Sequence, residues 1–308
     1  LVQHNDRGFR AIKEYNNPDV LIMGASPSYG WGVPFEQTYG AIIEKELKAL
    51  NISGNVINGS VIGYSSFQGK LLLKEILSKV KPRLVILSYV INDVDRYRFY
   101  RNNSLPDNEV VAMGLVENLS SYLLRKSYIV KVYRKYLSNN KSISRPGSVR
   151  VTKEQYQSNM EEMVDLVRSI DAVPVFLQIP VNLHENKNST SFNNLIKSSK
   201  CSTHRDNSQL FYDCFEKNNY FNSINYSNNE MRKVFAMNSS KQASLYQNSL
   251  NEVSLNKNVN IINGASIFNS SKKYLFLDRK LDPIHPNSKG HNLLAKAIVK
   301  HLKNILPN

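Results

Sequence analysis

The stretch Val20-Leu21-Ile22-Met23-Gly24-Ala25-Ser26-Pro27-Ser28-Tyr29-Gly30 opens as an unbroken aliphatic run and ends in small residues around a serine. A short apolar run closed by turn-favouring residues reads as a buried strand. Gly24, Ala25, Gly30, Gly32 and Pro34 give that strand a tight exit with little bulk to hide the Ser26 hydroxyl. A helix is expected from near Thr38, because Tyr39, Ile42, Ile43, Leu47 and Leu50 fall on one face at helical spacing. In isolation such a serine is an ordinary turn residue, for which Ser is well suited.

The same alternation continues along the chain. Asn55 to Asn58 is a second short strand, followed by the small-residue loop Gly59-Ser60-Val61-Ile62-Gly63-Tyr64-Ser65-Ser66. A helix follows with Phe67, Leu71, Leu72, Ile76 and Val80 on its buried side, and Pro82 stops it. Leu84 to Val90 is the strongest strand, continuously apolar as a central parallel strand should be, and it ends at Ile91-Asn92-Asp93. Tyr156, Met160, Met163, Val167 and Ile170 mark another helix from Thr152, with the methionines as core filler. Val173 to Ile179 and Asn258 to Asn263 complete the strands. Strands alternating with amphipathic helices imply a parallel sheet covered on both faces, whose ligands bind beyond the carboxyl ends of the strands. Ser26, Gly63 and Asn92 all fall on that edge.

Two segments break the pattern. Residues 96–150 pass from a polar loop into a basic amphipathic stretch in which Leu115, Leu119, Leu123, Ile129, Tyr133 and Leu137 recur beside Lys126, Lys131, Arg134 and Lys135. This is read as a helical lid or insertion over the sheet edge, with a membrane-surface helix as the alternative. Residues 184–257 are rich in Asn, Ser and Lys and too long for bare loop, so they are expected to form an inserted polar subdomain with helical pieces near 230–235 and 240–250.

Cys201 and Cys214, with twelve residues between them, lie in that second segment and form no CxxC pair, which argues against a zinc site. A disulfide between them would stabilise by roughly 3 kcal/mol and place the protein outside the cytosol; two unpaired thiols are the other reading. The 308 residues, 41% of them hydrophobic, suffice for one large domain or two small ones, and the chain is read as one domain with two insertions. No apolar run is long enough to span a bilayer, and the chain opens at Leu1 as though a signal peptide or anchor had been cut away. The net charge of +15 points to an anionic partner such as an acidic glycan, a phospholipid surface or nucleic acid, or simply to a solvated Lys-rich surface. The Arg/Lys blocks with interleaved aromatics that mark nucleic-acid modules are missing.

Asp282-Pro283-Ile284-His285-Pro286 places a carboxylate three residues before an imidazole in a loop stiffened by two prolines, ahead of a helix with Leu294, Ala297, Ile298, Leu302 and Ile305. A serine hydroxyl needs an adjacent base, and the base needs a group that fixes its tautomer; Ser26, His285 and Asp282 fit those roles. The backbone N–H groups of Ser26 and Gly63 and the Asn92 amide are candidate donors to an oxyanion. Asp93 is read as a loop brace, His291 as a helix residue packing on the sheet, and Trp31 as packing near the site or stacking on a sugar. His4, His184, His204 and His301 carry no supporting pattern.

Gly24-Ala25-Ser26, Asn58-Gly59-Ser60-Val61-Ile62-Gly63, Asn92-Asp93 and Asp282-Pro283-Ile284-His285 resemble, in order, the four blocks of the SGNH, or GDSL, hydrolases. The resemblance covers the chain apart from about 96–150 and 184–257. It implies a flavodoxin-like three-layer α/β/α fold, sheet order 2-1-3-4-5, with Ser26 as nucleophile, His285 as base, Asp282 as its orienter and Ser26, Gly63 and Asn92 as the oxyanion hole. It implies no metal or organic cofactor. Gly-Trp-Gly-Val after the serine and Gly-Tyr-Ser-Ser in the second block look most like bacterial extracytoplasmic enzymes that act on acylated surface glycans. The implied activity is a serine esterase taking an acylated carbohydrate or small ester, with an O-acyltransferase or a glycan-binding module on a decayed hydrolase fold as alternatives. Two positions depart from the pattern: Ala25 stands where the family usually has Asp, and Ile91 where it usually has Gly.

Overall fold

The computed structural model describes residues 4–6, 8–11, 15–52, 54–94, 107–108, 149–180, 229–278 and 282–306, with the side chains at 229–242, 278 and 283 excepted. Five parallel strands, β1 (Val20–Gly24), β2 (Val56–Asn58), β3 (Leu84–Ser88), β4 (Val173–Gln178) and β5 (Asn260–Asn263), form one sheet in the order β2-β1-β3-β4-β5. This is the expected strand order, and each strand starts and ends within two residues of its sequence-based bounds.

The strands read as uniformly apolar because both faces are covered. Side chains alternate across the sheet, so Leu21, Met23, Val85, Leu87 and Phe176 enter one core while Val20, Ile22, Leu84, Ile86, Val175 and Leu177 enter the other. Helices α3 (Ser66–Leu77), α4 (Lys153–Arg168) and α5 (Asn229–Lys257) cover the first face. On the second lie α2 (Tyr39–Ala49), α6 (Gly264–Asn269) and α7 (Ser288–Leu302). A four-residue turn of helix, α1 (Ser26–Tyr29), follows β1 directly.

Local sequence sets the helix starts. The Thr38 side chain caps α2 by accepting from Ala41 N, and Ser65 with Gln68 and Thr152 with Gln155 form reciprocal capping boxes on α3 and α4. In α3 the buried stripe differs from the expected one: Leu71 is 47% exposed and Leu73 is fully buried in its stead. Met160 and Met163 are fully buried, as core filler should be.

The end of the 184–257 segment belongs to the main fold. Ala243, Tyr246, Leu250 and Val253 are buried in the core beneath α5, and Tyr246 Oη donates to Val151 O at 2.8 Å. Residues 184–228, with Cys201 and Cys214, lie outside the described residues, as does all of 96–150 except 107–108 and 149–150. A further element is the antiparallel pair β6 (Phe276–Asp278) and β7 (Asp282–Pro286), which turns the Asp-to-His loop into a strand. Among the described residues no helix is long and apolar enough to cross a membrane.

Candidate active site

Ser26 is the first residue of α1, just past the carboxyl end of strand β1. The turn into it is tight: a Cβ on Gly24 would lie 2.5 Å from Ser28 Oγ and 2.7 Å from the Ser88 carbonyl, so that position accepts only glycine without backbone movement. Gly30, at φ 85°, closes α1 as its left-handed C-cap, with its N–H donating to Ser26 O at 3.1 Å.

Two side chains hold this turn from outside. The buried Arg10 guanidinium donates to the carbonyls of Tyr29 at 2.8 Å, Gly30 at 2.5 Å and Val33 at 2.6 Å. Asn58, at the end of β2, donates to Ser28 O at 2.9 Å and accepts from Ser60 N at 3.1 Å. Ala25 is buried and its small side chain contributes no hydrogen bond, so Arg10 and Asn58 brace the loop. Arg10 carries no signal in the sequence, because its partners are backbone carbonyls.

Strand β7 brings the imidazole to the hydroxyl. His285 Nε2 lies 2.8 Å from Ser26 Oγ, across 259 positions of sequence. On the other side of the ring, Nδ1 lies 2.7 Å and 2.8 Å from the two carboxylate oxygens of Asp282, and Asp282 Oδ1 also accepts the His285 backbone N–H at 3.1 Å. A carboxylate can only accept, so Nδ1 carries the proton and the Nε2 lone pair faces the serine hydroxyl. That is the arrangement in which a hydroxyl passes its proton to an imidazole as it attacks a carbonyl.

Gly63 and Asn92 lie on the loops that follow β2 and β3, at the same end of the sheet. Gly63 has φ +78°, and Asn92 Nδ2 donates to Tyr64 O at 2.9 Å, tying the two loops together. Among the described residues neither the Ser26 nor the Gly63 backbone N–H meets an acceptor. Val61 N donates to Gly24 O at 3.0 Å, so the Gly63 loop is stitched to the strand end that delivers Ser26.

Asp93 is wholly buried and accepts Ser66 N at 2.8 Å, the bracing position expected for it. Ile91 packs against the core, so its replacement of the usual glycine is accommodated inside the protein. Trp31 is 48% exposed, with its ring centroid 6.4 Å from that of His285. His291 is buried in α7 against Tyr39, as a helix residue that packs on its neighbours. Among the described residues no cluster of His, Cys, Asp or Glu is placed to hold a metal ion.

No protein-family model and no curated protein matches the chain. Solved structures do. The psychrotrophic esterase EstA from Pseudoalteromonas sp. is similar at 14% identity over 96% of this chain and 100% of that one, with a TM-score of 0.50. A catalytic mutant of Axe2, an acetylxylan esterase from Geobacillus stearothermophilus, is similar at 13% identity over 93% and 94%, with a TM-score of 0.50. LAE5, an alpha/beta hydrolase enzyme from the metagenome of Lake Arreo in Spain, is similar at 13% identity over 94% and 97%, with a TM-score of 0.52. The chain thus has the fold of the SGNH, or GDSL, hydrolases, with the sheet order 2-1-3-4-5.

Proposed function

We propose that this protein is a serine esterase that works through an acyl-enzyme, and that its substrates are O-acetyl esters on carbohydrate. The observation that carries the first part is the line Ser26 Oγ, His285 Nε2, His285 Nδ1, Asp282, with every link at 2.8 Å or less.

In this reading Ser26 Oγ attacks the ester carbonyl carbon while its proton passes to His285 Nε2. The carbonyl oxygen becomes an oxyanion received by the Ser26 and Gly63 N–H groups and the Asn92 amide. The tetrahedral adduct collapses, the C–O bond to the leaving alcohol breaks, and the proton on Nε2 goes to that alcohol. Water then repeats the sequence on the acyl-enzyme, giving up a proton to Nε2, and the released acid leaves Ser26 Oγ reprotonated. Asp282 holds the ring in the required tautomer throughout.

Two observations support an acetylated carbohydrate. A neighbour in fold is named an acetylxylan esterase. Trp31 presents a half-exposed indole beside His285, the flat apolar surface on which a sugar ring stacks. The test uses p-nitrophenyl acetate, acetylated xylooligosaccharide and a fluorophosphonate probe. Expected are turnover and labelling that vanish in Ser26→Ala, and a Trp31→Ala variant whose KM rises on the oligosaccharide but not on the nitrophenyl ester. Labelling that persists without Ser26 refutes the esterase reading; equal effects of Trp31→Ala on both substrates refute the carbohydrate one.

A further inference from the structure

Tyr64 packs against the core, but the tip of the loop that carries the Gly63 N–H is not itself wedged in place by packing. A Cβ at Gly63 would meet nothing within 4 Å, Ile62 is 43% exposed, and the turn hydrogen bond from Tyr64 N to Val61 O is long at 3.3 Å. A donor aimed at a developing charge is effective only where its direction is fixed before reaction. Contact at Gly63 itself does not fix this one.

That role falls to hydrogen bonds on three successive residues. The Gly63 carbonyl receives Arg150 Nη1 at 2.7 Å, the Tyr64 carbonyl receives Asn92 Nδ2 at 2.9 Å, and the Ser65 hydroxyl donates to Asp107 Oδ2 at 2.8 Å. Arg150 joins the first and third: its Nη2 donates to Asp107 Oδ2 at 2.9 Å and to Gln68 Oε1 at 2.7 Å, and its Nε lies 3.2 Å from the same carboxylate oxygen. The pair is withdrawn from water, with the Arg150 side chain 13% exposed and that of Asp107 fully buried. Asp107 N also donates to Arg150 O at 2.5 Å, so the two segments are joined by backbone as well as by charge.

We propose that Arg150 is a positioning residue for the oxyanion hole, a role that rests on the esterase reading above. Its guanidinium fixes the Gly63–Tyr64 peptide, which sets ψ of Gly63 and with it the direction of the Gly63 N–H. The effect is geometric, because the Asp107 carboxylate beside the guanidinium cancels most of the field it would exert on a substrate. It also requires arginine: one planar fork serves Gly63 O, Gln68 Oε1 and Asp107 at once, whereas a lysine ammonium is a point charge on a single stem. The expected signature is a loss that the conservative charge-keeping substitution does not repair.

The experiment compares Arg150→Lys and Arg150→Met with the unsubstituted full chain, using p-nitrophenyl acetate as substrate and phenylboronic acid as a probe whose tetrahedral adduct on Ser26 places a negative oxygen in the hole. For both variants kcat should fall about 10- to 100-fold with KM within about twofold, and affinity for the boronic acid should fall in parallel. Urea unfolding of each variant reports how much of it is folded, and Arg150→Lys carries the test should Arg150→Met fail to fold. Full activity in Arg150→Lys overturns the proposal, because charge alone would then suffice. So does unchanged boronic acid affinity, or a loss of activity accounted for by the unfolded fraction. Absence of Ser26-dependent turnover in the unsubstituted chain overturns the esterase reading itself, a result distinct from an active enzyme indifferent to Arg150.

Discussion

The backbone N–H of Tyr39, the first residue of α2, donates to Nδ1 of His291 in α7 at 3.2 Å, so one helix is capped by a side chain from another 252 positions away. A ring nitrogen that accepts must be unprotonated. Burial, reinforced by the positive charge of Arg10, pushes the His291 pKa down to about 3.

This cap makes the fold sensitive to acid. Between the unfolded value of about 6.5 and the folded value of about 3, the unfolded chain binds a proton that the native chain does not, so stability falls as pH falls. In His291→Gln an amide oxygen accepts the same bond without titrating. The urea midpoint of the wild type should drop more steeply from pH 7 to pH 4 than that of the variant, and parallel curves would contradict the assignment.

Asp93 acts with the opposite sign. Burial raises its pKa to about 6, with the Asp107 charge adding to the rise and the hydrogen bonds from Ser66 and the Arg150 charge opposing it. The native chain keeps a proton that the unfolded chain has shed, so this group's contribution is fully present below about pH 4 and is lost as pH rises through 6. Asp93→Asn keeps an acceptor for Ser66 N and should be more stable than wild type by about 1–3 kcal/mol at pH 8. The advantage should disappear near pH 4; a difference constant with pH would locate the cause elsewhere.

Replacing Arg10 with Met strips the Tyr29, Gly30 and Val33 carbonyls of their common donor. Burial lowers the Arg10 pKa, yet a guanidinium stays charged near neutral pH, so charge-assisted bonds are lost. The expected cost is about 2–4 kcal/mol in urea unfolding. Because these carbonyls follow Ser26 directly, fluorophosphonate labelling should slow even at temperatures where the variant is fully folded.

Asp282→Asn tests the orienter. An amide can present a donor to Nδ1 and so favour the wrong tautomer, and kcat should fall about 10³- to 10⁴-fold with little change in KM. Asp282 is partly exposed, so unfolding should shift by less than about 1 kcal/mol. A large loss of stability in this variant would assign the residue to the hairpin instead of the imidazole.

The sheet could be read from sequence because strands buried on both faces are marked by uniform aliphatic runs such as Leu84 to Leu87. The three residues Ser26, Asp282 and His285 were visible through the turns around them. What escaped had weaker signatures. Arg10 acts on backbone carbonyls, and Arg150 reaches the Gly63 carbonyl, which leaves no mark on those partner residues. The stripe Ala243, Tyr246, Leu250 and Val253 is diluted by Asn, Ser and Gln on the other faces of α5. In α3 the choice between Leu71 and Leu73 is set by how the helix is rotated on the sheet, and the three neighbouring positions Leu71, Leu72 and Leu73 are all apolar enough to serve. The hairpin of β6 and β7 is short, and prolines at 283 and 286 argue locally against a strand.

The separation of Ser26 from His285 has a bearing on how the protein is made. At about 5–20 residues per second, a ribosome that has just added the serine needs on the order of 13–50 s to reach the imidazole. Throughout that interval the growing polypeptide holds the Ser26 hydroxyl without the imidazole that faces it in the folded protein. The Ser26–His285 hydrogen bond can form only once β7 has been made and has joined the sheet edge that carries the serine.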